Sequence, residues 1–174
     1  MPLVSATFQG ELVGIFEKGP SGNKSGKKVG IDVSKAYMNY CSAGMNPAGF
    51  PFSAMPGTSA LGSALGDILD KEEKSGALTA QNMAKEFDSC LATFMSVNQI
   101  SIVTTAGLGP LISELSDLLS KANASASLFC QGLATAVNNH AMAATVTAFI
   151  PGAPPVTVVR SEERRVGKEC RSRW

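Results

Sequence analysis

GTSALGSALGDILDKEEKSGALTAQNMAKEFDSCLATF, residues 57–94, aligns without a gap on GLGPLISELSDLLSKANASASLFCQGLATAVNNHAMAA, residues 107–144. Eleven of the 38 positions are identical, among them Leu61/Leu111, Leu65/Leu115, Asp67/Asp117, Lys71/Lys121, Ser75/Ser125 and Ala84/Ala134. Chance at ordinary residue frequencies gives roughly two or three. Repetition at a period of 50 residues calls for one supersecondary unit used more than once. A degenerate copy precedes the two clear ones. There Leu12, Ile15, Phe16 and Lys18 resemble Leu65, Ile68, Leu69 and Lys71, while Ala36, Tyr37 and Tyr40 stand for Met83, Ala84 and Phe87. The first copy also carries a longer hinge, GPSGNKSGKK at 19–28.

Each copy reads as an αα-hairpin. Leu61, Leu65, Ile68 and Leu69 recur at helical spacing, the charged turn DKEEKSG follows, and Leu78, Met83, Phe87, Cys90, Leu91 and Phe94 form a second stripe. Ser75 or Thr79 is suited to cap that second helix. In the last copy Pro110 suits a first helical turn, where its missing N–H costs nothing. The β-branched runs Ile100–Thr105 and Ala144–Ile150 fit either period, and helix is the favoured reading. The expected fold is therefore all-α: tandem helical hairpins with a repeat of about 50 residues, in units near 3–50, 57–106 and 107–152 of one domain spanning 1–159.

Charge is as unevenly distributed as hydrophobicity. All five Arg lie among the last fifteen residues, and 1–159 hold nine Lys against eleven Asp and Glu, a net of −2. At average usage, an Arg-free run of that length has odds of roughly one in a few thousand. The final stretch, RSEERRVGKECRSRW at 160–174, resembles the in-frame translation of a short-read sequencing adapter at all fifteen positions. It is read as a non-native, disordered tail, which takes Cys170 out of the cysteine count. Within 1–159 no charged residue falls between Lys35 and Asp67, Asp88 and Glu114, or Lys121 and Arg160. Asn98, Gln99, Asn138, Asn139 and His140 interrupt these neutral runs, so a bilayer span is not expected. Nor is nucleic acid, because the native balance is acidic. The N-terminal MPLVSATFQGELVG lacks a basic region and carries Glu11, so it does not read as a secretory signal.

Candidate chemistry is sparse. SGNKSGKK at 21–28 has Ser21 and Lys28 where a phosphate loop needs Gly and Ser or Thr, and it follows a helix-like segment in place of a strand. Asp67 and Asp117 could converge as a carboxylate pair, but each precedes a Lys by four residues, the pattern of a helix-surface ion pair. His140, the sole histidine, aligns with Cys90. With Cys41 or Cys130 they fall short of a four-ligand zinc spacing, and a histidine in a polar notch beside Asn138 and Asn139 is the plainer reading. No nucleophile turn or HExxH motif occurs. No enzyme, catalytic residue, cofactor or metal is expected.

The neutral Ala/Gly/Ser/Thr-rich helices, the MPGTSALGSALG and IPGAPPV joints and the tandem units resemble small helical virion structural proteins of tailed bacteriophages, of the kind met in marine metagenomes. The resemblance implies a connector, tail or baseplate subunit in the virion, assembled in the host cytoplasm, whose partners are itself or other structural proteins. Depleted charge suits a permanent interface, and the stripes Leu91, Phe94, Met95 and Ala134, Val137, Ala141 are its candidate residues. The alternative is a cytoplasmic helical-repeat adaptor that binds one protein along its stacked hairpins.

Overall fold

The computed structural model describes residues 5–17, 25–46, 49–71, 75–121 and 125–149, together with the backbone of 156–159. It is mostly helical. The hairpins are α1 (Ser5–Phe16) with α2 (Gly26–Ser42), α3 (Thr58–Asp70) with α4 (Gly76–Ala92), and α5 (Thr105–Ser120) with α6 (Ala126–Ala143). Short antiparallel strands follow the second helices: β1 (Phe52–Ala54), β2 (Met95–Ser96), β3 (Gln99–Val103), β4 (Thr145–Ala148) and β5 (Val156–Val159). The 160–174 tail and the 19–24 part of the hinge lie outside the described residues.

Consecutive helices pack on one another all the way round, and α6 closes onto α1. The result is a ring with a pseudo-threefold axis, in which α2, α4 and α6 converge and α1, α3 and α5 fill the grooves between them. The equivalence is tight along the converging helices. Ser25, Ser75 and Ser125 are all N-caps, and each hydroxyl accepts from the backbone N–H three residues on. Tyr37, Phe87 and Val137, spaced by 50, are all fully buried near the axis, with Tyr37 edge-on to Phe87 at 5.2 Å between centroids. Hydrophobic burial at i, i+3, i+4 and i+7 on these helices supplies the common core.

Four sequence expectations are corrected here. The first copy's second helix is shifted by almost one turn from the expected alignment, so that Tyr37 matches Phe87 and not Ala84, and Val33 matches Met83. Aromatic and small residues recur one turn apart in α2, and that spacing accommodates both registers. Ile100–Thr105 and Ala144–Ile150 are largely strand, not helix: β3 pairs antiparallel with β4, with Ile102 opposite Val146. Their β-branched side chains fit a half-covered pleat better than a helix turn. Pro110 is inside α5, not in its first turn, because the helix starts at Thr105 with the Gly107 N–H on the Thr104 carbonyl. Leu78 and Leu128, expected in the apolar stripe, are about half exposed. The equivalent position in the first copy is Lys28, which marks it as a surface site.

The tightest seam joins α2 to α3. A Cβ on Gly30 would collide with the backbone of Gly62 and Gly66, so the two helices approach backbone to backbone. The Gly26 N–H donates to the Asp70 carboxylate at 2.6 Å, which places a negative charge at the N-terminus of α2.

Candidate docking face at the strand end

Hairpin connectivity gives the ring two different ends. The joints between paired helices lie at one, and the strands that follow α2, α4 and α6 cover the other. Here β1 pairs with β2, while β3, β4 and β5 form a three-stranded sheet in that order. The β1–β2 and β3–β4 pairings link successive copies, the strand leaving one unit bonding the first strand of the next, while β4 and β5 pair within the last copy. A polar network fixes this layer. The Asn46 amide donates to Ser96 Oγ at 2.7 Å, Ser96 donates to the Gln99 amide oxygen, and the Gln99 amide donates to the Phe94 carbonyl at 2.7 Å. Asn98 takes a positive φ of 68° at the β2–β3 turn, and the Phe149 N–H closes onto its carbonyl at 2.7 Å.

What this layer presents outward is uncharged and largely apolar, with Ser53 and Ser101 the exposed polar residues among the described residues of its strands. Met95, Val97 and Ile100 are 56%, 59% and 57% exposed, and Val103 and Phe149 are about half exposed. Met95, Val97, Ile100 and Phe149 cluster because the Gln99–Ala148 register and the Phe149–Asn98 bond bring the β2–β3 turn against the end of β4, while Val103 lies at the other end of β3, opposite Thr145. No Asp, Glu, Lys or Arg occurs in 89–113 or 122–159, so no charge from those stretches dilutes the patch. Among the described residues β3 has one ladder neighbour, β4, which leaves a neutral sheet edge beside it. Natural monomers usually blunt such edges with charge or proline.

Of the six side chains read as an interface, Met95 belongs to this face. Leu91, Phe94, Ala134, Val137 and Ala141 are buried in the chain's own core. Their stripes are spent on ring closure, which helical spacing in one copy cannot disclose. Leu91 and Ala141, together with their equivalent Cys41, line a narrow apolar cavity on the axis, roofed by Phe52, Ile102 and Val146 from the strands. It carries no convergent polar groups and is far smaller than a ligand site.

The remaining candidates are structural. Asp117 pairs with Lys121 at 3.6 Å, both largely exposed, and Asp67 is exposed on the outside of α3. His140 is not in an open notch. It is fully buried, with Nε2 2.9 Å from Asp88 Oδ1 and Nδ1 without a partner among the described residues. The same geometry recurs one copy round, where the Tyr40 hydroxyl donates to Asn138 Oδ1 at 2.7 Å. Tyr40 is equivalent to His140, and Asn138 to Asp88, so these bonds lock α6 to α4 and α2 to α6. Asp88 was missed as a partner, although its alignment with Asn138 carried the signal. Burial pushes the Cys90 thiol up to about 11, partly offset by a hydrogen bond with Thr58, and raises Cys130 as well, with Glu17 adding to the rise. Such thiols stay protonated near neutral pH, unlike reactive cysteines.

Among the described residues no three metal-ligating side chains cluster, and no helix is long and apolar enough to cross a membrane. In comparisons with known proteins, the chain matches no protein-family model, no curated protein and no solved structure.

Proposed function

We propose that the protein is a non-enzymatic assembly subunit that docks on protein neighbours through its strand end, with a tailed-phage particle as the setting its sequence texture suggests. One observation carries the reading: the exposed cluster Met95, Val97, Ile100 and Phe149 beside a neutral strand edge that is open among the described residues. Contiguous apolar surface of this kind on a folded chain marks an interaction site, and an open strand can extend its sheet with a neighbour's backbone. Ring closure favours this over the adaptor reading, because the six helices surround a filled core and leave no open superhelical groove.

Paired substitution at the face tests it. Val97→Lys with Ile100→Lys is expected to leave the thermal midpoint nearly unchanged, since both side chains are exposed, and to weaken self-association at least tenfold by sedimentation equilibrium. Equal association in the variant and the parent chain rules the strand end out.

A further inference from the structure

Five of the six helix seams join neighbours in sequence, and the sixth, α6 against α1, is the closure. It is also made without a glycine seat on the α1 side. Glycines elsewhere seat one helix on the backbone of the next: Gly30 on Gly62 and Gly66, Gly76 on Leu119, Gly107 on His140. In α1 a Cβ at Gly10 or Gly14 would meet nothing within 4 Å. Those glycines weaken the helix and gain no close approach in return. α1 buries Phe8 and Leu12, whereas its counterparts α3 and α5 bury, besides two leucines each, glycines 62, 66 and 107 at close helix contacts. The groove it fills is the better-formed partner. Phe8 lies 5.3 Å from the Tyr40 ring and 6.0 Å from Tyr37, and Phe16 lies edge-on to Phe129 at 5.5 Å.

Chain length adds a second, independent fact. Nine residues, 17–25, separate Phe16 from Gly26, whereas five separate Asp70 from Gly76 and Ser120 from Ala126. The five-residue joints suffice to close their hairpins. Nine residues span up to about 30 Å when extended, the width of a small domain.

We infer that α1 is an exchangeable helix, and that its groove between α2 and α6 takes the α1 of a second copy when copies are held side by side. The inference rests on the assembly reading and names both the partner and the element that crosses. The contacts made in trans are those already present in cis, so local concentration sets the choice. A nine-residue joint tethers α1 at an effective concentration of about millimolar order, so a dilute chain closes on itself and a crowded assembly allows exchange. Reciprocal exchange closes two copies into a symmetric dimer, whereas one-way donation from copy to copy builds rings or filaments.

The Asn39 amide donates to the Glu11 carboxylate at 3.2 Å, which marks two surface positions on either side of the α1–α2 contact. In a full-length Cys170→Ser background, Glu11→Cys and Asn39→Cys are made in separate chains, mixed, refolded together at high concentration and treated with a short bismaleimide. Exchange is expected to give covalent dimers several-fold above either variant alone, and dilution before refolding should abolish them. The double variant in one chain should close internally and shows that the pair is within reach. Dimers no more abundant than in the single-variant controls overturn the inference. If light scattering still finds oligomers in that case, docking through the strand end stands without exchange. A monomer at every concentration removes both.

Discussion

The joint end and the strand end of the ring are finished differently. At the joint end Ser25, Ser75 and Ser125 cap the converging helices, and exposed Lys27, Lys28, Lys71 and Lys121 lie among the half-exposed leucines 69, 78 and 128. At the strand end Asn46, Ser96 and Gln99 bond one another, and the exposed positions carry Met, Val, Ile and Phe with uncharged Ser53 and Ser101 between them. The two ends share one repeat, so the difference does not come from the fold. It comes from which surface positions were given charge, and it separates a face made for water from one made for a neighbour.

The largest expected effect is at the joint end. Gly30→Val puts three carbons where Gly62 and Gly66 backbone already sits, and should cost at least about 3 kcal/mol, read as the shift in chemical unfolding midpoint. Asp88→Ala leaves buried His140 with neither ring nitrogen bonded and should cost about 2 kcal/mol. Tyr40→Phe, its counterpart one copy round, removes one neutral bond for about 1 kcal/mol. A comparable loss, about 1 kcal/mol, is expected from Ser75→Ala. Leu78→Lys should change stability by no more than about 0.5 kcal/mol and leave association untouched, in contrast to the lysines placed at the strand end.

Alkaline pH attacks the core that both ends share. The folded Cys90 thiol titrates near 11 against an ordinary 9, so its contribution is complete below about pH 9 and is lost as pH rises through 11. Buried Tyr37 is raised too and acts in the same direction. Cys90→Ala should flatten the fall in unfolding free energy between pH 9 and 11 relative to the parent chain.

The joint end was the more legible of the two. Ser75 and Ser125 fall at identical repeat positions ahead of apolar periodicity, so the caps and hairpins follow from local spacing. The strand end was not, because QISIV is five residues long and its β-branched side chains suit two periods. Pairing with residues nearly 50 positions away decides between them. Ring closure was hidden for the same reason. The seating of Phe8 on Tyr40 and of Phe16 on Phe129 is a long-range contact, and without it Leu91 and Val137 read as free stripes when they are core.

Hydrogen exchange followed by mass spectrometry, on the parent chain at low and at high concentration, tests the docking face most directly. The account predicts that concentrating the protein slows exchange in 95–103 and 145–149, while the first turns after Ser25, Ser75 and Ser125 exchange at unchanged rates. Slowing confined to the joint end, or none at either end, would contradict it.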